Sequence, residues 1–205
     1  MSLDLPKSLA NDKERLARLQ LIEQPHVAPL TDFVRTLRTE MGSDHAIPYF
    51  DPLDGGVQAS ILYLLEAPGP RAIQSGFISR NNPDETAKNF FLLNQEARIP
   101  RTITISWNIV PWYLGSGTKI RPAEAGDITN GSRSLKTFLA LLPKLKIVIF
   151  LGAKPAKALT QVAAIRPDVH LMKSPHPSPL FINNAPGNRD RILEVFREAA
   201  KRISL

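Results

Sequence analysis

Three polar side chains stand where an α/β fold would place chemistry. Glu66, Asn108 and His176 each close or follow a short apolar run that reads as a buried strand. A carboxylate can position and partly deprotonate a water. A side-chain amide offers an acceptor beside a donor, so it reads an edge that presents both. An imidazole can donate to an atom that is gaining negative charge. Each residue type also has a plainer use. A Glu at a strand end binds turn amides, Asn is a common turn residue, and a His between prolines can serve a structural hydrogen bond.

What makes the three interesting together is the frame that must carry them. Apolar, β-branched runs at 61–65, 102–106, 147–151 and 169–172 predict four strands. Helix-like periodicity predicts helices over 11–24, 30–41, from 82 to about 97, 132–142, 153–165 and 188–203, with 43–56 and 115–131 as loops. Asn82, Pro83 and Glu85 read as cap, first helical residue and capping-box partner of the third helix. In the 43–56 loop, Tyr49, Phe50, Asp51 and Pro52 could line a ligand cleft, but the favoured expectation is that Tyr49 and Phe50 cover the sheet edge, with Asp51 and Asp54 serving turns. Strands alternating with helices imply a three-layer α/β/α fold on a central, mainly parallel four-stranded sheet, with right-handed crossovers. In such a sheet the carboxyl ends of the strands share one rim, where ligands bind.

The chain has 205 residues and 43% hydrophobic content, enough for one well-buried core. We expect a single domain over 1–205, with 1–42 as a helical extension packed on it. Lys and Arg number 26 against 19 Asp and Glu, a net charge of +7 that favours an anionic partner such as nucleic acid. With no cysteine, disulfides, thiolate zinc sites, a catalytic thiol and cysteine-held iron-sulfur clusters are excluded. No apolar run approaches the roughly 20 residues that span a bilayer, and no signal peptide is evident, so a cytoplasmic protein that does not use a membrane is expected.

Glu66-Ala67-Pro68-Gly69 after the first strand, Asn108 after the second and His176-Pro177-Ser178-Pro179-Leu180 after the fourth resemble, in order and spacing, the motifs of the uracil-DNA glycosylase superfamily. The resemblance runs from about residue 61 to the last helix and includes Leu151-Gly152-Ala153. Glu-Ala-Pro-Gly is similar to a bacterial and archaeal branch that carries an iron-sulfur cluster, whereas Pro68-Gly69-Pro70 and Gln74-Ser75-Gly76 are similar to the single-strand-selective branch. The missing cysteines point to a cluster-free bacterial branch that needs no cofactor and no metal.

The resemblance implies hydrolysis of the N-glycosidic bond of uracil, or a related damaged base, flipped out of single- or double-stranded DNA by a monomeric enzyme. That reaction builds positive charge on the sugar and negative charge on the departing pyrimidine. Glu66 then positions water and stabilises the sugar, while His176 donates to the pyrimidine O2. Asn108 accepts from N3–H and donates to O4, a pattern that cytosine inverts. Ala67 stands where the best-known family members have the water-activating aspartate, which leaves that task to Glu66. Ala67, Pro68 and Gly69 would wall the base pocket. Phe77 is either the ring that stacks on the base or ordinary core. Leu180, with Phe181 as alternative, matches the wedge that fills the vacated stack. Ser178, Ser174, Lys173, Arg80 and Arg189 are candidates for phosphate contacts.

Two other classes fit the same residues. One is a relative that binds single-stranded nucleic acid without turnover, which Ala67 suggests. The other is an enzyme for a small nucleotide ligand on the same frame.

Overall fold

The structure is a computed structural model that describes residues 4–116 and 119–203. Among the described residues the strands in chain order are β1 (Tyr49–Phe50), β2 (Ile61–Leu65), β3 (Phe77–Ile78), β4 (Thr104–Asn108), β5 (Gly115–Ser116), β6 (Lys119–Ile120), β7 (Ile147–Leu151) and β8 (His170–Ser174). The helices are α1 (Asp12–Leu19), α2 (Ala28–Met41), α3 (Pro70–Ser75), α4 (Glu85–Glu96), α5 (Ala125–Ser132), α6 (Leu135–Ala140), α7 (Leu159–Ile165), α8 (Pro179–Ile182) and α9 (Asn188–Arg202).

The main sheet has the order β4-β2-β7-β8, and every neighbouring pair is parallel. β2 and β7 sit inside it and are apolar at every position because both of their faces are covered. Alternation divides their side chains between two layers. Leu62, Leu64, Val148 and Phe150 join Ile105 and Trp107 of β4 against α2 and α6, where Phe33, Val34, Phe138 and Leu139 pack. Ile61, Tyr63, Ile147 and Ile149 face α4 and α9, where Phe90, Leu93, Ile192 and Phe196 pack. The three-layer α/β/α architecture is therefore as expected, and α2 supplies part of the central core.

Register brings the functional ends level. Leu65 pairs with Asn108, and Leu151 pairs with Ser174. Glu66 and the segment leading to His176 consequently leave the sheet on one rim.

Several boundaries differ from expectation for local reasons. Residues 101–103 form a tight turn, so β4 starts at Thr104 and Asn108 is its last residue, where a position just past the strand was expected. Asp84, not Asn82, caps α4, accepting from the Ala87 amide at 2.8 Å, because Asn82 is turned inward to the Ser75 hydroxyl and the Phe77 carbonyl. The expected helix over 153–165 opens as a tight turn at Pro155–Ala158, and α7 proper begins at Leu159. The stretch 115–131, expected as a loop, holds the β5–β6 hairpin and α5, which starts on a capping box between Glu124 and Asp127.

Candidate active site

A cleft of about 470 Å³ opens at the carboxyl ends of β2 and β4. Its walls are Ala67, Pro68, Gly69 and Arg71 on one side and Ile78, Ser79 and Arg80 on another. Asp84, Ala87 and Phe90 of α4 close a third side, Ser106 and Asn108 of β4 form the floor, and His176 and Pro177 complete the rim.

Asn108 is 3% exposed, and among the described residues its amide has no hydrogen-bond partner. Such an amide in a cleft is a costly arrangement unless a ligand or water satisfies it. His176 is half-buried on the same cleft. Its loop is held from two directions. Asn89 of α4 donates to the Pro177 carbonyl at 3.1 Å, and the Gly152 amide donates to the Ser174 carbonyl at 2.9 Å. Gly152 lies at φ +105°, a backbone conformation that favours glycine, and a Cβ there would meet the His176 side chain only in ordinary contact at 3.4 Å. Burial pushes the His176 imidazole below its ordinary value, with the Glu66 charge opposing. The ring is therefore biased towards its neutral form, which keeps one N–H donor.

Glu66 is placed differently. It is absent from the cleft lining; its Oε1 accepts from the Ala123 amide at 2.7 Å. Lys154 donates to the carbonyl of the same residue at 2.6 Å, so Glu66 and Lys154 clamp the segment before α5. The turn-amide use of Glu66 is thus realised on one carboxylate oxygen.

Ala67, Pro68 and Gly69 line the cleft. Phe77 does not. It is fully buried against Leu9 and Ile22, because β3 pairs with β1 and directs residue 77 towards the N-terminal segment and residue 78 the opposite way. Ile78 is the β3 residue that reaches the cleft. Phe77→Leu should therefore cost about 1 kcal/mol of stability, read as a modest Tm fall, and leave base release unchanged. A stacking ring would instead lose about 1–3 kcal/mol of base binding.

The basic candidates also need correction. Arg80 is 5% exposed in the cleft wall and does not offer a surface charge for phosphates. Arg189 pairs with Glu96 at 2.6 Å, away from the cleft lining. Lys173 is exposed on β8, and Ser174 is buried, its hydroxyl donating to the Pro175 carbonyl. Ser178 caps α8, accepting from the Phe181 amide. Leu180, on the first turn of α8, is 85% exposed.

Beneath the 79–82 wall lies a buried ionic network. Asp51 accepts from Arg18, from Ser79 and, at 2.6 Å, from Arg101. Arg101 also donates to Asp54 at 2.7 Å and to Asn81 at 2.6 Å. Burial pushes Asp51 up, but Arg101 and Arg18 outweigh it and hold the carboxyl below its ordinary value. For Asp54 burial prevails over Arg101 and Arg80, and its carboxyl is raised. Sequence reasoning assigned these aspartates to turns; Asp51 does accept from the Leu53 amide, yet its larger task is this network. Sequence separation hides such a cluster. The polar stripe Thr104, Ser106, Asn108 on one face of β4 was open to reading at alternate positions, as were Asp84 and Phe90 in the helix above it.

Among the described residues, no group of three or more His, Asp or Glu side chains could hold a metal ion, and no helix is long and apolar enough to cross a membrane. No curated protein matches the sequence. Among solved structures, SMUG2 of Pedobacter heparinus superposes with a TM-score of 0.55 at 13% identity, over 71% of this chain and 76% of that one. The mimivirus uracil-DNA glycosylase gives a TM-score of 0.44 at 16% identity, over 86% of this chain and 72% of that one. The first of these is a likeness of fold. A sequence family described as the uracil DNA glycosylase superfamily matches residues 54–200, a span that takes in the cleft, the four-stranded sheet and the flanking helices other than α1 and α2. With that match across most of its length, the chain belongs to the uracil DNA glycosylase superfamily.

Proposed function

We propose that the protein is a DNA glycosylase that releases uracil, or a related damaged base, from DNA. The observation that carries this reading is the Asn108 amide, without a hydrogen-bond partner among the described residues, facing the same cleft as His176. Asn108 reads the N3–O4 edge, and His176 donates to O2 as the base leaves. The free oxygen of Glu66 orients the water. Water oxygen bonds to the sugar C1′ and the C1′–N bond breaks. The electron pair departs with the base, and the water proton passes to Glu66 and then to solvent. Leu180 fills the vacated stack, and the exposed Arg71 and Lys173 with the Ser178 turn meet phosphates. The partner is DNA, the active unit is one copy of the chain, folded as one domain with 1–42 packed on it and working in the cytoplasm without a cofactor.

The test is incubation with a uracil-containing oligonucleotide followed by cleavage at abasic sites. Product should form with the natural sequence and be strongly reduced in Glu66→Ala and His176→Ala; product equal to those controls would sink the reading. Leu180→Ala should slow release from duplex about tenfold or more and leave single-stranded substrate nearly unaffected, because only the duplex has a stack to refill.

The engagement of Glu66 with the Ala123 amide favours a second reading, a relative that binds the flipped base without turnover. It predicts tight binding to uracil-containing single strands with no abasic product.

A further inference from the structure

The cleft does not end at Asn108. Ser106, two residues back on the same face of β4, lines it too, so the polar wall continues inward for about 7 Å at roughly 3.3 Å per residue, and Thr104, the next residue on that face, is fully buried behind it. Arg80 stands at its inner end. Its Nη2 donates to the Thr104 hydroxyl at 2.6 Å, and its guanidinium lies 5.4 Å over the Phe90 ring. Its Nε is shielded and has no hydrogen-bond partner among the described residues; Asp54 Oδ1 is 4.0 Å away. Nη1 has no partner among the described residues either. The surrounding network holds three arginines, Arg18, Arg80 and Arg101, against the buried Asp51 and Asp54 and the exposed Asp4, which accepts from Arg101 and Asn81. Arg80 is therefore the cation with the weakest pairing, and among the described residues it is the one buried cation that lines the cleft.

The geometry points to Arg80 as the counter-charge for the departing base. This rests on the glycosylase reading. When the C1′–N bond breaks, both electrons stay on the ring, which becomes an anion inside a cleft of low polarity. His176 is biased to its neutral form, so it contributes a hydrogen bond but no full charge. The fixed positive charge of Arg80 acts on the anion directly or across one water, and it is already in place before the bond breaks. The base then takes a proton from solvent on release. The other charged groups of the cleft do not replace it. Arg71 is exposed, and Asp84 is turned to the α4 amides, where burial raises its carboxyl. Burial also lowers the Arg80 guanidinium, yet an arginine remains protonated in a protein.

Single-turnover release of uracil and of 5-fluorouracil from otherwise identical oligonucleotides tests this with the full chain. The fluorinated ring carries negative charge more readily and needs less help. Arg80→Met should slow uracil release about 100-fold and 5-fluorouracil release clearly less, with Arg80→Lys in between. Equal slowing of both substrates is what a merely structural role would give, and it overturns the proposal. Thermal unfolding of both variants checks that they fold. A second measurement needs no turnover: binding of free 5-fluorouracil as pH is raised through the ionisation of that ligand. Affinity should rise as the ring becomes anionic, and the rise should vanish in Arg80→Met. A flat profile in the natural sequence overturns the role of Arg80 even if uracil is excised. A rise without excision supports Arg80 and defeats turnover.

Discussion

Replacing His176 with Ala is expected to lower kcat for base release about 10²–10³-fold, with KM for the oligonucleotide changed little. The ring makes no protein hydrogen bond among the described residues, so its donor is free for the substrate, and it gains most of its value as charge develops on the pyrimidine. Single-turnover rates separate this from a binding defect; a kcat within threefold of the natural sequence would remove His176 from the chemistry. The same residue has a pH signature in stability. Its folded value lies below the ordinary 6.5, so below that pH the unfolded chain binds a proton that the folded chain refuses. Stability should thus be unaffected by His176 above 6.5, and should fall as pH drops from there to its lowered folded value. His176→Gln, which keeps a donor but cannot titrate, should flatten that part of the profile.

The fold was legible because its signals are local. Four apolar runs at parallel-sheet spacing gave the strands, and β2 and β7 carry the unbroken apolar pattern of interior strands. The rim was legible by the same logic, since parallel strands end together, and register does bring Leu65 level with Asn108. What misled was anything set by pairing between distant segments. Phe77 and Ile78 are equally apolar in sequence, and only the β1–β3 pairing decides which one faces the cleft. Arg80 reads as a surface cation until Thr104, Asp54 and Phe90, from three other segments, enclose it. Glu66 was placed at the correct strand end, but its rotamer is set by Ala123, 57 residues away in sequence.

Asp51→Ala should cost about 3–5 kcal/mol, the largest stability loss of any single change proposed for this chain. Asp51 is 1% exposed and is the shared acceptor for two guanidiniums, those of Arg18 and Arg101, as well as for the Ser79 hydroxyl and the Leu53 amide. Truncation leaves those two cations buried with their main counter-charge gone, which costs far more than the loss of a surface pair. For a chain of this size the Tm should fall by roughly 10 °C. Because its folded carboxyl is held low, Asp51 stabilises the protein above its unfolded value of about 3.9, and that stabilisation disappears as pH falls through the lowered folded value. Acid titration of stability should therefore be steeper in the natural sequence than in Asp51→Ala. Asp51→Asn separates charge from hydrogen bonding; its one carbonyl oxygen can keep the bond from the Leu53 amide, whereas the oxygen that accepts from Ser79 and the guanidiniums becomes a donor NH2, and it should recover little of the loss. The effect should reach the cleft, since Ser79 and Asn81 bracket Arg80 and are held by this network through Asp51, Arg18 and Arg101. A variant as stable as the natural sequence would show that the network, although buried, adds little to the fold.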